Sequence, residues 1–141
     1  MVDGQGFIDA RPPPASRNPQ PKMTGWIGIS LGDVTGIGPE VTLKALAVET
    51  RVDDTRYLLI GDAEHARRLN RQLRLKLPLQ NYAGEGTPGK ICLCQPLPDA
   101  LPADLVEGSP AAARAAVAWV REGAKRCLRQ ELDALVSAPV N

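Results

Sequence analysis

The sequence predicts an α/β fold built on a doubly wound, mostly parallel sheet. Short apolar segments that are typical of buried strands alternate along the chain with longer segments of helical periodicity. A glycine-rich turn follows the first apolar segment, and Pro39 then stands at the start of a helical segment, where a missing N–H does no harm. This alternation is typical of βα units, so we expect one sheet with helices on both faces.

Turn residues and periodicity set the expected order of the elements. The predicted strands cover 26–31, 57–60, 79–82, 90–94 and 134–137. The predicted helices cover 39–49, 63–73 and a third segment that starts at Pro110, with Ser109 as its N-cap. The proline-rich stretch 95–107 is expected to be an extended loop.

Apolar spacing indicates which helix faces pack on the sheet. In the first helix, Val41, Ala45 and Val48 are spaced to lie together against it. The predicted apolar stripe of the third helix consists of Ala113, Ala116, Val117, Val120, Ala124, Cys127 and Leu128. Trp119 is expected at the flank of this stripe with incomplete cover. The strand 134–137 is apolar on both faces, which predicts burial.

Composition and charge restrict the class of protein. The 141 residues are 43% hydrophobic and 23% charged, which fits one modest globular domain. A formal net charge of +1 favours neither nucleic acid nor an anionic membrane as a partner. No apolar run approaches the roughly 20 residues that span a bilayer, and no secretory segment is recognisable. We therefore expect a cytoplasmic protein.

The two ends of the chain differ in character. Residues 1–22 are rich in proline and poor in apolar pattern, which predicts a disordered tail. Residues 23–141 are expected to form the α/β part, and Met23 is a candidate translational start. The sequence stops just beyond the last predicted strand, without the next crossover helix. The fold is therefore expected to be truncated, with an uncovered sheet surface that favours self-association.

The segment 28–40, Gly-Ile-Ser-Leu-Gly-Asp-Val-Thr-Gly-Ile-Gly-Pro-Glu, carries the most distinctive motif. Its free amides and the positive end of the following helix dipole could hold an anion such as phosphate. An ordinary strand-to-helix connection explains the same residues equally well, and both hypotheses stay open. The motif is neither a Walker loop, which needs Lys and Ser or Thr, nor a dinucleotide fingerprint, because Val41 replaces the third glycine.

The sequence contains three cysteines and one histidine. Cys92 and Cys94 share one face of a strand, which raises the possibility of a metal pair. A four-ligand site is difficult to assemble with only Cys127 and His65 in addition, so buried core cysteines are the favoured interpretation. His65 is predicted to be a surface residue of the second helix.

Two motifs together carry a resemblance to a known family. The segment 32–40, Gly-Asp-Val-Thr-Gly-Ile-Gly-Pro-Glu, resembles the Gly-Asp-Pro-Ala-Gly-Ile-Gly-Pro-Glu opening of 4-hydroxythreonine-4-phosphate dehydrogenases. The segment 132–141, Leu-Asp-Ala-Leu-Val-Ser-Ala-Pro-Val-Asn, is similar to that family's Asp-Ala-Leu-Val-Thr-Ala-Pro-Ile-Asn-Lys. The resemblance extends over residues 26–141. Val34 and Thr35 depart from the usual Pro-Ala, which leaves room for a subfamily with another substrate.

The resemblance implies a fold like that of isocitrate and isopropylmalate dehydrogenases, in homodimers whose subunits have two α/β domains around a cleft. It implies oxidation of a small phosphorylated substrate, 4-hydroxythreonine 4-phosphate, by NAD or NADP, followed by decarboxylation, in pyridoxal phosphate (pyridoxine) biosynthesis. It also implies a divalent metal (Zn, Mg or Co) that acts as a Lewis acid on the substrate oxygens.

Family members are more than twice as long, and their metal ligands and main cofactor loops follow the second motif. No catalytic or metal-binding residue is therefore assigned, and the chain alone is expected to be inactive, with no tightly bound cofactor or metal. The residues expected to shape the cleft are Asp33, Thr35, Gly36, Gly38, Ser137 and Asn141. Two functions stay open: the N-terminal part of a dehydrogenase, or a non-catalytic remnant or small anion-binding module.

Overall fold

The structure, a computed structural model, describes residues 23–140. The expected tail at 1–22 and Asn141, which was predicted to shape the cleft, lie outside this range. In the described range the elements follow the predicted order: β1 (Trp26–Ser30), α1 (Gly38–Glu49), β2 (Arg56–Ile60), α2 (Ala63–Gln72), β3 (Gln80–Asn81), β4 (Ile91–Cys94), α3 (Pro110–Leu128) and β5 (Ala134–Ser137). The predicted strand at 79–82 is reduced to the two residues of β3.

The described strands form one sheet in the order β3-β4-β2-β1-β5, and every pair in it is parallel. The chain moves in one direction from β1 to β2 and in the other from β4 to β5. Right-handed connections therefore place α3 on the opposite face from α1 and α2. In agreement, α1 contacts α2, whereas α3 packs on β1, β2 and β5. The predicted doubly wound parallel fold is confirmed.

The predicted inner face of α1 is wrong. Val41 is 49% exposed and Val48 is 63% exposed, and Ala45 is exposed as well. Leu43 and Leu46 point into the core instead. Thr42 shares this buried face because its hydroxyl donates to the Gly38 carbonyl at 2.9 Å, which satisfies its polar group within the helix. The apolar spacing pointed to the valines because a buried threonine looks polar in the sequence.

The predicted apolar stripe of α3 is also wrong, because the buried face is rotated about the helix axis from the predicted one. The buried residues are Ala112, Ala115, Ala116, Trp119 and Gly123, so only Ala116 was placed correctly on a fully buried face. Val117 and Leu128 are exposed, and Trp119 is 1% exposed rather than partly uncovered. The helix packs closely through small residues: a Cβ added at Gly123 would lie 2.5 Å from Leu135 Cδ1. Small residues contribute little to an apolar pattern. The prediction therefore followed the larger aliphatic side chains, which lie on a different face of the helix.

Strand β5 lies at the edge of the sheet and is not the buried strand that its composition predicted. Leu135 packs toward the core, whereas Val136 is 52% exposed. The strand is held at its start by Asp133, whose carboxylate accepts from the Thr24 and Gly25 amides at 2.7 Å each. These hydrogen bonds lower the pKa of Asp133. The start of β5 is thereby fixed to the residues that precede β1.

Trp26, the first residue of β1, anchors this same end of the sheet. It is fully buried, its ring meets Tyr82 edge-on with centroids 5.5 Å apart, and the Arg56 guanidinium lies 3.8 Å above it. Arg56 also donates to the carbonyls of Gly89 and Glu85 at 3.2 Å each, which fixes the loop before β4. These contacts leave the other end of the sheet, where β1 and β5 finish, free to form a site.

The assignment of the α1 faces is tested by a pair of truncations. We expect Leu46→Ala to lower the free energy of unfolding by about 2–5 kcal/mol, because it leaves a cavity in the core. Val48→Ala should change it by less than about 0.5 kcal/mol, because that side chain is exposed. Urea unfolding followed by circular dichroism measures both. Equal losses, or a larger loss for Val48→Ala, would contradict this orientation of the helix.

Candidate functional site

The two sequence motifs meet at the carboxyl edge of the sheet. The first forms the glycine loop (residues 32–38) between β1 and α1, and the second forms the Ala138–Pro139 turn after β5. Because β1 and β5 are parallel neighbours, both segments emerge at the same edge. The Asp33 amide donates to the Pro139 carbonyl at 3.5 Å, and the Ala138 amide donates to that of Ser30 at 2.9 Å. In open α/β sheets this edge is where ligands bind.

Gly32 makes this contact possible. Its φ is +72°, and an added Cβ would overlap the Pro139 carbonyl oxygen and lie 3.0 Å from that of Ala138. Gly38 is also constrained, since its Cβ would lie 2.8 Å from the Leu31 carbonyl oxygen and 3.0 Å from that of Pro139. The two glycines therefore allow the loop and the turn to pack backbone against backbone.

Asp33 organises the glycine loop from within. It is 1% exposed, and its carboxylate accepts from the Thr35 amide at 2.8 Å and from the Thr35 hydroxyl at 2.7 Å. Its carbonyl accepts from the Gly36 amide at 3.1 Å. The structure thus brings Asp33, Thr35, Gly36 and Gly38 together, with Asp33 and Thr35 holding the shape of the loop.

The start of α1 faces this edge without a side-chain cap. Ile37 occupies the N-cap position, makes no capping hydrogen bond through its side chain and is 67% exposed. Glu40 in the first turn forms an ion pair with Lys44 at 2.5 Å, which offsets its negative charge. Both hypotheses for the motif, an anion site and a plain connection, are compatible with this arrangement.

A small cavity lies behind the glycine loop. It is lined by Val34 and Thr35 from the loop, by Asp62, His65 and Arg68 from the start of α2, and by Leu101 to Ala103 and Leu105. Its volume of about 30 Å³ admits about one water molecule. Asp62 closes it, because its carboxylate accepts from the His65 amide at 2.8 Å and the Leu101 amide at 2.6 Å. The Leu101 contact ties the proline-rich loop to the start of α2, and no pattern in the sequence indicates it.

His65 lies on α2 as predicted, but it is less exposed than an ordinary surface residue. The imidazole is half-buried, lines the cavity beside Thr35, and has Nδ1 2.9 Å from an Arg68 guanidinium nitrogen. Burial lowers the pKa of His65, and the Arg68 charge lowers it further, while Asp62 opposes both. Since Arg68 has only donors to offer, Nδ1 accepts and the neutral ring carries its proton on Nε2. Helical spacing alone could not show that the proline-rich loop covers this position.

The second motif contacts the glycine loop through its backbone and not through the Ser137 side chain. Ser137 is exposed, and its hydroxyl donates to the neighbouring Ala138 carbonyl at 3.1 Å. What contacts the glycine loop is the backbone of Ala138 and Pro139, which sequence reasoning missed. The signal for it was present, because the positive φ and close approach that glycines allow were already recognised in the first motif.

The cysteines behave as core residues. Cys92 is fully buried, and burial raises the pKa of its thiol; Cys94 is half-buried, and its pKa is raised by burial as well. Among residues 23–140, no three His, Cys, Asp or Glu side chains are grouped as metal ligands would be. Over the same part of the chain, no helix combines the length and apolar character needed to cross a membrane.

The relatives found by comparison with known proteins carry two different enzyme names. The chain is 30% identical over 135 residues to a 4-hydroxythreonine-4-phosphate dehydrogenase of Desulfosudis oleivorans, covering 88% of this chain and 37% of that protein. It is 33% identical over 122 residues to a D-threonate 4-phosphate dehydrogenase of Cupriavidus necator, covering 82% and 36%. No family model matches the chain.

A solved structure, a 4-hydroxythreonine-4-phosphate dehydrogenase from Burkholderia phymatum, aligns with a TM-score of 0.69 at 28% identity. It covers 82% of this chain and 36% of that one. In fold and in its two joined motifs, the chain is thus similar to part of known α/β dehydrogenases. More particularly, the chain corresponds in sequence and fold to the N-terminal part of the 4-hydroxythreonine-4-phosphate dehydrogenase family, as its two motifs indicated. It spans a little over a third of the length of these relatives.

The packing of the two motifs is tested by comparing two glycines. Gly25 and Gly32 both have positive φ, but a Cβ at Gly25 would meet nothing within 4 Å. We expect Gly25→Ala to cost about 1–2 kcal/mol from backbone strain alone. Gly32→Ala should cost about 1–3 kcal/mol more, because its methyl group also overlaps the Pro139 carbonyl. Chemical unfolding measures the free energy of unfolding of both variants. Equal decreases would mean that the loop and the turn are not packed together.

The environment of His65 predicts the direction of its titration. Its pKa should lie below the ordinary value of 6.5, and Arg68→Gln should raise it. With the folded pKa depressed, the unfolded chain binds the proton more readily, so the free energy of unfolding should decrease as pH falls from about 6.5 through the folded pKa. Because the chain has one histidine, NMR reports the pKa without ambiguity. A pKa at or above 6.5 would contradict the balance described here, in which burial and Arg68 outweigh Asp62.

Proposed function

We propose that the chain forms one wall of the cleft of a dehydrogenase that acts on a small phosphorylated hydroxy acid. The single observation that carries this proposal is the packing of the glycine loop on the Ala138–Pro139 turn at the carboxyl edge of the sheet. The names of the relatives support the reaction class and the substrate class: 4-hydroxythreonine 4-phosphate or D-threonate 4-phosphate.

The residues of the chain have a shaping role in this proposal. Asp33 fixes the glycine loop through Thr35, and Gly32 and Gly38 let the loop approach the second motif closely. Ser137 stands next to this contact and is open to solvent. Asn141 is proposed as a further cleft residue, from its place in the second motif. A rigid wall of this kind reduces the freedom of bound reactants, which is a recognised contribution to rate.

The cofactor proposed for the complete enzyme is NAD or NADP, because the relatives are dehydrogenases. A divalent metal, Zn, Mg or Co, would act there as a Lewis acid. The residues at 23–140 do not fit a metal site, since they hold no group of three candidate ligands. We therefore assign this chain no chemical step, and propose that the metal and the main cofactor contacts belong to other residues of a homodimeric, cytoplasmic enzyme of pyridoxal phosphate biosynthesis.

A chimera tests the proposal. Residues 23–141 replace the matched segment of the Burkholderia phymatum enzyme, and reduction of NAD and of NADP is followed spectroscopically with each of the two phosphorylated substrates. We expect substrate-dependent reduction with at least one combination, because the transplanted wall should complete the cleft. The unaltered Burkholderia enzyme is the positive control.

The same experiment separates the two functions left open by the sequence. A chimera that folds cooperatively, with a thermal transition like that of the parent enzyme, and yet turns over neither substrate would contradict the dehydrogenase proposal. It would favour a non-catalytic remnant that keeps the glycine loop. A ratio of kcat/KM values for the two substrates that differs from that of the parent enzyme would show that this wall contributes to substrate choice, because that ratio measures differential stabilisation of the transition state.

A further inference from the structure

The contact between His65 and Arg68 in α2 depends on the protonation state of the imidazole. Nδ1 of His65 lies 2.9 Å from a guanidinium nitrogen of Arg68. A guanidinium has only N–H donors, so this hydrogen bond requires an acceptor at Nδ1 and therefore a neutral ring. Protonation would place a second donor and a second positive charge at the same separation. The contact therefore forms in the neutral state of His65 and is lost in the charged state.

The His65–Arg68 pair lies where three segments of the chain meet. Both side chains line the cavity of about 30 Å³ behind the glycine loop, together with Val34, Thr35 and residues 101–103 and 105 of the proline-rich loop. A cavity of this volume admits about one water molecule, which is too little to solvate a second charge well. The proline-rich loop contains no helix or strand, so its position depends on contacts such as those around this cavity.

Asp62 connects the pair to the proline-rich loop. One of its carboxylate oxygens accepts from the His65 amide at 2.8 Å, and the other accepts from the Leu101 amide at 2.6 Å. Both oxygens are thus already bound to backbone amides. An imidazolium that turned toward this carboxylate would compete with the Leu101 amide, which holds the loop. Protonation of His65 therefore weakens the hold on the loop both by repulsion from Arg68 and by this competition.

The other acidic groups near the cavity do not face the imidazole. The lining residues of the proline-rich loop are uncharged, and Asp104 among them is exposed and outside the lining. Glu64 on α2 is likewise exposed and outside the lining. In the glycine loop, the Asp33 carboxylate accepts from the amide and the hydroxyl of Thr35. Within residues 23–140, Asp62 is therefore the acid that faces the pair.

We propose that the His65–Arg68 pair is a pH-sensitive latch, which holds the proline-rich loop over the cavity while the imidazole is neutral and releases it on protonation. Burial and the Arg68 charge lower the pKa of His65 in the closed form. In the open form the ring regains an ordinary pKa of about 6.5. The open form thus binds the proton more readily, and its population increases as pH falls from about 6.5 to the pKa of the closed form.

The latch would make one side of the candidate site responsive to pH. Thr35 lines the same cavity, so release of the proline-rich loop would open this side of the glycine loop to solvent. The proposal concerns contacts within the chain and does not rest on the dehydrogenase function. It is therefore tested on the chain alone, without substrate or cofactor.

Hydrogen exchange of the Leu101 amide, followed by NMR on the full chain, tests the latch. Because this amide donates to Asp62, its protection factor reports the ratio of closed to open loop. We expect this factor, corrected for the intrinsic exchange rate, to fall by at least about threefold from about pH 8 to about pH 5. A tenfold fall would correspond to about one pH unit between the pKa values of the open and closed forms. Lower pH is avoided because carboxylates then begin to be protonated.

Urea distinguishes release of the loop from unfolding of the whole chain. Opening of one loop exposes little surface, so the protection of the Leu101 amide should be insensitive to urea below the unfolding transition. The amides of residues 58–60 in the buried strand β2 should instead lose protection steadily as urea is added. Equal protection and equal urea dependence at the two places would mean that the Leu101 amide exchanges only by unfolding, which would overturn the proposal.

Three substitutions identify the groups responsible. His65→Gln keeps a side-chain acceptor without titration, so the protection of the Leu101 amide should become independent of pH over this range. Arg68→Gln keeps an N–H donor without the charge and should reduce the fall in protection to about half or less. Arg67→Gln is the matched control, because that guanidinium donates to Asn81 instead, and it should leave the fall unchanged.

Two results would contradict the latch directly. One is protection of the Leu101 amide that does not change with pH in the unaltered chain. The other is a pH-dependent fall that persists undiminished in His65→Gln, because a different group would then control the loop. An equal effect of Arg67→Gln and Arg68→Gln would also overturn the proposal, since it would reflect the net charge of α2 and not the contact with His65.

Discussion

The close approach of Gly32 to the Pro139 carbonyl is the contact on which the candidate site depends. It joins segments more than 100 positions apart in the sequence, and it requires both a positive φ and the absence of a Cβ at one residue. Around it, the buried Asp33 carboxylate holds Thr35, and Gly38 brings the start of α1 against the same turn. Without this contact the glycine loop and the second motif would be separate features of one sheet edge.

The contact in turn depends on how closely β5 lies beside β1. Gly28 lies at the centre of β1, and a Cβ there would come within 2.6 Å of Leu132 and 3.4 Å of Leu135. Gly123 of α3 admits Leu135 from the other side. Gly28 and Gly123 therefore allow β5 to pack where its Ala138–Pro139 turn can reach the loop. The close packing of β5 in the core and the contact between loop and turn at the sheet edge therefore depend on the same glycines.

The fold could be predicted from the sequence because parallel sheets leave a strong alternating pattern, and the order of elements followed from it. Helix faces could not be predicted from the same pattern. Buried Thr42 and Gly123 carry little apolar signal, whereas exposed Val41, Val117 and Leu128 carry much. The environment of His65 depended on the proline-rich loop, whose path is set by hydrogen bonds such as that from Leu101 to Asp62. Such long-range contacts leave no local periodicity.

Val34 and Thr35, which stand where the resembled family has Pro-Ala, have structural roles inside the glycine loop. In the structure Thr35 turns inward to Asp33, and Val34 packs against the core, so neither is arranged as a selective contact at the edge. The packing of both side chains within the loop thus accounts for the shape that the loop presents at the sheet edge.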